Sequence, residues 1–311
     1  MTACTTEAPV SASCTPLSVV VVSFNRLEVL TQCLDALTAQ AAGLDVEVIV
    51  VRDAGHQDTS DVKSRFSHVR WIDPPARATV PEMRQLGMRA CQGDIVALLE
   101  DDCVVDPAWC LAVIEAHASD DAAIGGAVEP GRYGRALDWA VYFCEYGRFM
   151  LPLRPQANIA LALAGDHVTY KRAALHETLS DLADGFIDMF VHTSWANARV
   201  PMRTEETLVV RNVNSWSLRH VTMVPYHHGR AFAGERFSGR SAWFRAVMTC
   251  LAPALPPLKI GRVVADAMSR KRYRWRLLYA LPWIVVFMTS WSLGEAIGCA
   301  SGPGASLSQW R

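Results

Sequence analysis

The sequence predicts an α/β fold, with a mostly parallel central sheet flanked by helices and followed by C-terminal membrane-associated helices. Three observations carry this. Short apolar runs alternate with helical stretches over the first 130 residues, three adjacent carboxylates (Glu100, Asp101 and Asp102) close one of those runs, and residues 277–294 hold no charged side chain. Strands alternating with helices pair in parallel, because each crossover helix must pack back onto the sheet. A chain of 311 residues is long enough for one medium-sized catalytic domain and an appendage.

The N-terminal stretch MTACTTEAPVSASCTPL has neither the basic start nor the apolar core of a secretory signal, and its Ser, Thr and Ala content predicts a disordered leader over residues 1–16. Leu17 to Ser23 is a Val-rich strand, too short to cross a bilayer. NRLEVLTQCLDALTAQ follows with Leu27, Leu30, Leu34 and Leu37 at helical spacing. Val46 to Val51 reads as a second strand entering the loop RDAGHQD, and Val69 to Ile72 as a short third. PEMRQLGMRACQGD is a helix that opens on Pro81 and closes at Gly93, and Ile95 to Leu99 is the next strand. Asp106 and Pro107 predict an N-cap and a first helical turn leading AWCLAVIEAHA, and AAIGGAVEP reads as another strand. From Gly131 to Met223 the pattern weakens, leaving a helix at Arg172 to Ala183 and a strand at Thr207 to Val213. There is no internal repeat.

A formal net charge of −1 excludes the uniformly basic footprint of a nucleic-acid binder, so no nucleic-acid partner is expected. The nine cysteines are scattered and never in CxxC spacing, which predicts free thiols in a reducing compartment.

Three adjacent carboxylates are tolerated when solvated, partly protonated or neutralised by a cation. This triplet follows an apolar strand, and in a parallel sheet ligands bind outside the carboxyl ends of the strands. That position favours a cation. Carboxylate oxygens suit Mg²⁺ or Mn²⁺, which usually hold substrate phosphates as well and neutralise a diphosphate leaving group.

VVVVSFNR, VIVVRDAGHQD and MRQLGMRACQGDIVALLEDDCVVDPAW, in that order over about residues 17–128, resemble the N-terminal half of family-2 glycosyltransferases of the GT-A fold, of the bacterial membrane-associated type. The resemblance implies a nucleoside diphosphate sugar donor, a divalent metal and inversion at the anomeric carbon. It places Phe24, Asn25 and Arg26 at the nucleoside, Asp53 at the base, Arg84 at a phosphate, Glu100 near the ribose, Asp101 beside it on the donor, and Asp102 on the metal. Arg52 stands where the family commonly has an acid. LAGDHVTYKRAAL resembles the segment that puts Gly165 and Asp166 near the donor sugar and acceptor. Inversion needs a general base for the acceptor hydroxyl, which the family usually supplies as an acid after a Gly-Phe step. In GFIDMFVHTSW the candidates are Asp188 and His192, with Asp166 as a third. YHHGRAFAGERFSGRSAWFR resembles the family's lead-in to a membrane region, with His227, His228 and Arg230 bordering the diphosphate.

The uncharged run 277–294 is near the lower limit for a membrane span, and Arg270, Lys271, Arg272, Arg274 and Arg276 precede it, which favours the cytoplasmic face of the cell membrane. Trp275, Trp283 and Trp291 suit the headgroup boundary. Ala246 to Leu258, interrupted by Pro253, Pro256 and Pro257, is expected to lie in the interface or re-enter. The alternative is a pair of core helices with a solvated basic connector. Glu295 is expected near the far bilayer edge or buried against protein.

The whole predicts a GT-A-like domain over 17–240 and a membrane-associated helical segment over 241–311. The expected activity is transfer of a sugar to a lipid-linked or polysaccharide acceptor. Two alternatives stand beside it. One is a non-catalytic nucleotide- or glycan-binding membrane partner in polysaccharide assembly. The other is a nucleotidyltransferase, against which the missing Gly-rich phosphate loop counts.

Overall fold

The structure is a computed structural model that describes residues 15–53, 57–75, 78–156, 158–180, 182 and 185–309. Of the expected leader, residues 1–14 lie outside that set, as do residues 54–56 of the RDAGHQD loop.

The first half alternates as its apolar periods dictate. Strand β1 (Leu17–Ser23) is buried throughout, and helix α1 (Leu27–Ala41) buries Leu30, Cys33, Leu34 and Leu37 against it. Then come β2 (Val46–Arg52), the short α2 (Ser60–Arg65) and β3 (Arg70–Ile72). Helix α3 (Val80–Ala90) begins in a reciprocal capping box, Thr79 Oγ1 accepting from the Glu82 amide while the Glu82 carboxylate accepts from the Thr79 amide at 2.6 Å. β4 (Ile95–Glu100) carries the carboxylates at its end, and a short β5 (Cys103–Val105) follows directly.

The predicted cap at Asp106 is not there. α4 (Trp109–Ala116) starts later, with Ala108 at its N-cap in a left-handed conformation, because the Asp106 carboxylate is drawn to Arg211 at 3.0 Å. Next are β6 (Ala123–Pro130), α5 (Ala136–Val141), β7 (His167–Lys171), α6 (Arg172–Ser180), α7 (Asp188–Asn197), β8 (Met202–Asn212) and α8 (Leu218–Arg236). The chain closes with α9 (Ala242–Leu251), α10 (Leu255–Ser269) and α11 (Arg274–Ser301).

The eight strands are ordered β3-β2-β1-β4-β7-β6-β8-β5. β3, β2, β1 and β4 pair in parallel, and β6 runs parallel to β8. β7 is antiparallel to both β4 and β6, and β5 to β8. This is the GT-A-like arrangement the resemblance implied, a largely parallel sheet flanked by helices. One core, on the α1 and α4 side, is built on Val19, Val21, Leu34 and Trp109, and the other, on the α3, α6 and α7 side, on Val20, Val22, Met83 and Phe186.

A third core is shared with the C-terminal segment: Trp139, Tyr142, Phe143 and Trp216 pack with Leu277, Ala280, Ile284 and Phe287. Two of the residues read as a lipid-facing basic cluster are instead folded into the domain. Arg272 makes a paired contact with the buried Glu129 carboxylate, at 2.8 and 2.6 Å, and Arg270 donates to the carbonyls of Arg148, Met150 and Pro152. The prolines act as their spacing demands: a 3-10 turn at Ala252–Ala254 holds Pro253, and Pro256 and Pro257 fall in the first turn of α10. Two stretches, Ala242–Ser269 and Arg274–Ser301, are long and apolar enough to cross a membrane. Glu295 is half-buried against protein, paired with Lys259 at 3.0 Å.

Candidate active site

The carboxyl ends of β1, β2 and β4 meet at one edge of the sheet, and the acidic triplet divides its work there. Asp101 is turned fully inward. Its two oxygens accept from Ser23 Oγ (2.6 Å), the amides of Phe24 (3.1 Å) and Asn25 (3.0 Å), and Asn25 Nδ2 (2.6 Å). It therefore shapes the Phe24–Arg26 loop from beneath rather than facing a ligand. Arg52, the residue that departs from the family pattern, completes this arrangement: its buried guanidinium lies 3.7 Å from Asp101 and donates to Ser23 Oγ, the Asn25 carbonyl and Gln57. Asp53 follows at the end of β2, its amide donating to the Ser23 carbonyl at 3.2 Å.

Glu100 and Asp102 point the other way. Arg84, on α3 and 8% exposed, donates to Glu100 at 2.7 Å and to Asp188 at 2.8 Å, and so ties α3, β4 and α7 together. What carries Asp188 there is the Gly-Phe step. Gly185 adopts φ +87° against the backbone of Pro81 and Glu82, where a Cβ would come within 2.5 Å, and the Phe186 amide donates to the Pro81 carbonyl at 2.8 Å. Asp188 then begins α7 with its carboxylate against Gly165, where an added Cβ would meet it at 2.4 Å. Asp166 is thereby beside Asp188.

Burial and mutual repulsion dominate the electrostatics. Burial, with Glu100 nearby, pushes Asp166 up to about 7. Burial, with Glu100, Asp101 and Asp166 around it, holds Asp102 well above the ordinary carboxylate range. Glu100 is raised by burial despite Arg84. Such a cluster carries more negative charge than its arginines neutralise.

Among the described residues, no group of three or more His, Cys, Asp or Glu is placed to cage a metal ion. The donor set nevertheless fits a hard cation held jointly with a substrate, since Mg²⁺ and Mn²⁺ use one or two carboxylates and take the rest of their shell from phosphates and water. Asp102, the carboxylate the sequence assigns to a metal, lies next to Cys103, whose thiol is 3.6 Å from Asp102 and 3.7 Å from Asp166.

His192 does not reach the cleft. Its ring is fully buried, with Nε2 against the Tyr170 hydroxyl at 2.8 Å, and burial pushes its pKa down. His227 and Arg230 face the C-terminus, contacting Ser306 and the Gly302 carbonyl.

Sequence reasoning missed the strip that follows β8. Asn214 Nδ2 donates to Asp102 at 3.0 Å and to Asn25 Oδ1 at 3.2 Å, and Ser215 Oγ accepts from Arg26 at 3.3 Å. Asn212 accepts from the Tyr133 hydroxyl at 2.9 Å, and its side-chain amide lies beside Asp102. The polar run NVNS after an apolar strand was the available signal.

Residues 18–179, which include the β1 loop, Arg84 and the acidic triplet, match glycosyl transferase family 2. The chain belongs to that family. Within it, a 111-residue stretch, 34% of this family-2 chain, is 31% identical to chondroitin synthase of Escherichia coli and 29% identical to hyaluronan synthase of Pasteurella multocida. That stretch covers only 16% and 11% of those two relatives. Among solved structures, the mannosyltransferase PcManGT from Pyrobaculum calidifontis, in complex with GDP-Man and Mn²⁺, matches with a TM-score of 0.55 at 15% identity, over 94% of this chain and 88% of that one. At that identity the likeness is one of fold.

Proposed function

We propose that this family-2 protein transfers a sugar, with inversion, from a nucleoside diphosphate donor to a lipid-linked or polysaccharide acceptor at the cytoplasmic face of a membrane. The observation that carries the reading is the convergence of Glu100, Asp166 and Asp188 around Arg84 at the carboxyl edge of the sheet, with Asp102 beside Glu100 and Asp166. The Phe24–Arg26 loop and Asp53 bind the nucleoside, Glu100 lies toward the ribose, and Arg84 meets a phosphate oxygen. Asp102 holds Mg²⁺ or Mn²⁺, which when bound neutralises the charge developing on the diphosphate leaving group.

Asp188 accepts the proton of the acceptor hydroxyl as its oxygen attacks the anomeric carbon. It is the more accessible of the two neighbouring acids, its side chain 21% exposed while Asp166 is 6% exposed, and its contact with Arg84 fixes its direction. Asp166, raised to about 7, is placed to hydrogen-bond the sugar as a neutral acid.

The test is Asp188→Asn, which keeps shape and the Arg84 contact but removes the proton acceptor. Transfer should fall by about 10² to 10⁴ while donor affinity stays constant. Normal transfer by that variant moves the base to Asp166. Donor binding without transfer by the native protein favours the non-catalytic partner, and pyrophosphate release from a nucleoside triphosphate favours the nucleotidyltransferase.

A further inference from the structure

Residues 240–309 carry nine Lys and Arg against two acids, Asp266 and Glu295. Both acids are paired internally, with Arg270 at 3.2 Å and Lys259 at 3.0 Å. The exposed charges left on this segment are therefore positive, Arg240, Arg262, Lys271 and Arg274 among them.

Helix α11 is apolar on both of its faces. Its inner face buries Leu277, Ile284 and Phe287 in the third core. Farther along, Gly294 and Gly298 meet the backbone of α8 so closely that an added Cβ would lie 2.1 Å from the Tyr226 carbonyl oxygen and 2.3 Å from that of Arg230. Its outer face presents Trp275 (83% exposed), Leu278, Tyr279, Val285, Leu293 and Ile297 at helical spacing. No charge interrupts that face from Leu277 to Gly294. α9 and α10 add exposed Trp243, Leu251 and Leu258. An uncharged apolar stripe of this length, bordered by exposed cations, is complementary to acyl chains beneath anionic headgroups.

Both ends of α11 are tied to the same domain. At its start, Arg270 and Arg272 hold the carbonyls of residues 148–152 and the Glu129 carboxylate. At its end, Arg230 of α8 donates to the Gly302 carbonyl. A spanning helix delivers its two ends to opposite sides of a bilayer, and one water-soluble domain cannot stand on both. Moreover, α8 runs beside α11 with Arg219, His227, His228, Arg230 and Glu235 on it, and insertion of α11 would draw these into hydrocarbon.

We propose that the α9–α11 hairpin is an in-plane lipid-docking face: it lies in the headgroup region of an anionic bilayer, apolar side down, and does not cross. This rests on the reading that the protein works at a membrane. It gives the active site a fixed height above the lipid surface, as a lipid-linked acceptor requires.

The experiment uses the full chain. Lys271→Cys and Ser308→Cys variants, each with Cys4, Cys14 and Cys250 replaced by Ser, are added to sealed vesicles of phosphatidylcholine with 30% phosphatidylglycerol (about a third anionic, a probe of the charge effect) and treated with a membrane-impermeant maleimide. Both positions should label from outside, the side of the catalytic domain, without detergent. Labelling of either position only after permeabilisation shows a crossing helix and overturns the proposal while leaving membrane association intact. In flotation, Trp275→Ser with Leu278→Ser should weaken vesicle binding ten-fold or more with donor binding unchanged. Equal binding to pure phosphatidylcholine overturns the anionic preference. A protein that binds no vesicle, or that buries the face in a homodimer, overturns the membrane reading itself.

Discussion

Arg84→Ala tests the architecture of the site at its most connected point. The guanidinium donates to Glu100 at 2.7 Å and Asp188 at 2.8 Å with its side chain 10% exposed, so truncation leaves two carboxylates in a region where burial already raises Glu100, Asp102 and Asp166. Removing one member of a buried ion pair costs about 3–5 kcal/mol, because the remaining charge is stranded. For a chain of this size that is a fall in Tm on the order of 5–8 °C. Burial already raises Glu100, so its stranded carboxylate is costly when ionised at pH 8, and that part of the deficit shrinks as Glu100 protonates in acid. Arg84→Lys restores one contact but cannot span both acids, and it should recover less than half of the loss. In a double-mutant cycle with Asp188→Ala, which removes the contact from the other side, the two losses should be less than additive by about 1–3 kcal/mol. Urea unfolding at pH 8 and pH 5 reads all of this. An Arg84→Ala deficit below about 1 kcal/mol, or one that does not depend on pH, would refute the reasoning, because such a value belongs to a solvated surface pair.

Asp166→Asn should stabilise the metal-free protein at pH 8. A carboxyl raised to about 7 in the folded state costs stability wherever the unfolded chain is ionised and the folded chain resists it, and that cost disappears as pH falls through 7 toward 4. The variant should exceed the native protein by on the order of 2–4 kcal/mol at pH 8 and by almost nothing at pH 4, read by thermal unfolding. Deletion of residues 241–311 should not yield a well-folded soluble domain. It strips Leu277, Ile284 and Phe287 from Trp139, Tyr142 and Trp216, and it leaves the Glu129 carboxylate, 3% exposed, without Arg272. Size exclusion should show aggregation, and a monomer with native-like cooperative unfolding would contradict the shared core.

What could be read in the sequence followed the strength of local signals. β1, β2 and β4 are continuous apolar runs, and α1 and α3 have either a clean helical period or a capping box, so local chemistry suffices for each. β5 is three residues long and β7 five, and they are strands because β8, β4 and β6 hold them, a tertiary fact with no local period. Asp106 reads as a cap in isolation, but Arg211, 105 residues away, takes its carboxylate. Within the site, the position of the acidic triplet at a strand end was legible. Which acid turns inward was not, since that depends on four donors from Ser23, Phe24 and Asn25. Composition identified the C-terminal helices as apolar, but it does not say that one face of α11 is covered by α5 and α8, or that Arg272 belongs to Glu129.

The central claim is that the carboxyl edge of the sheet binds a nucleoside diphosphate sugar through a cation on Asp102. Calorimetric titration of the full-length protein with a panel of nucleotide sugars, with and without Mn²⁺, tests it most directly. The account predicts that one donor class binds only when Mn²⁺ is present, and that Asp102→Ala loses this binding while keeping a cooperative thermal transition. Binding by Asp102→Ala that equals the native protein's and still requires Mn²⁺, or no binding of any nucleotide sugar by the native protein, would contradict it.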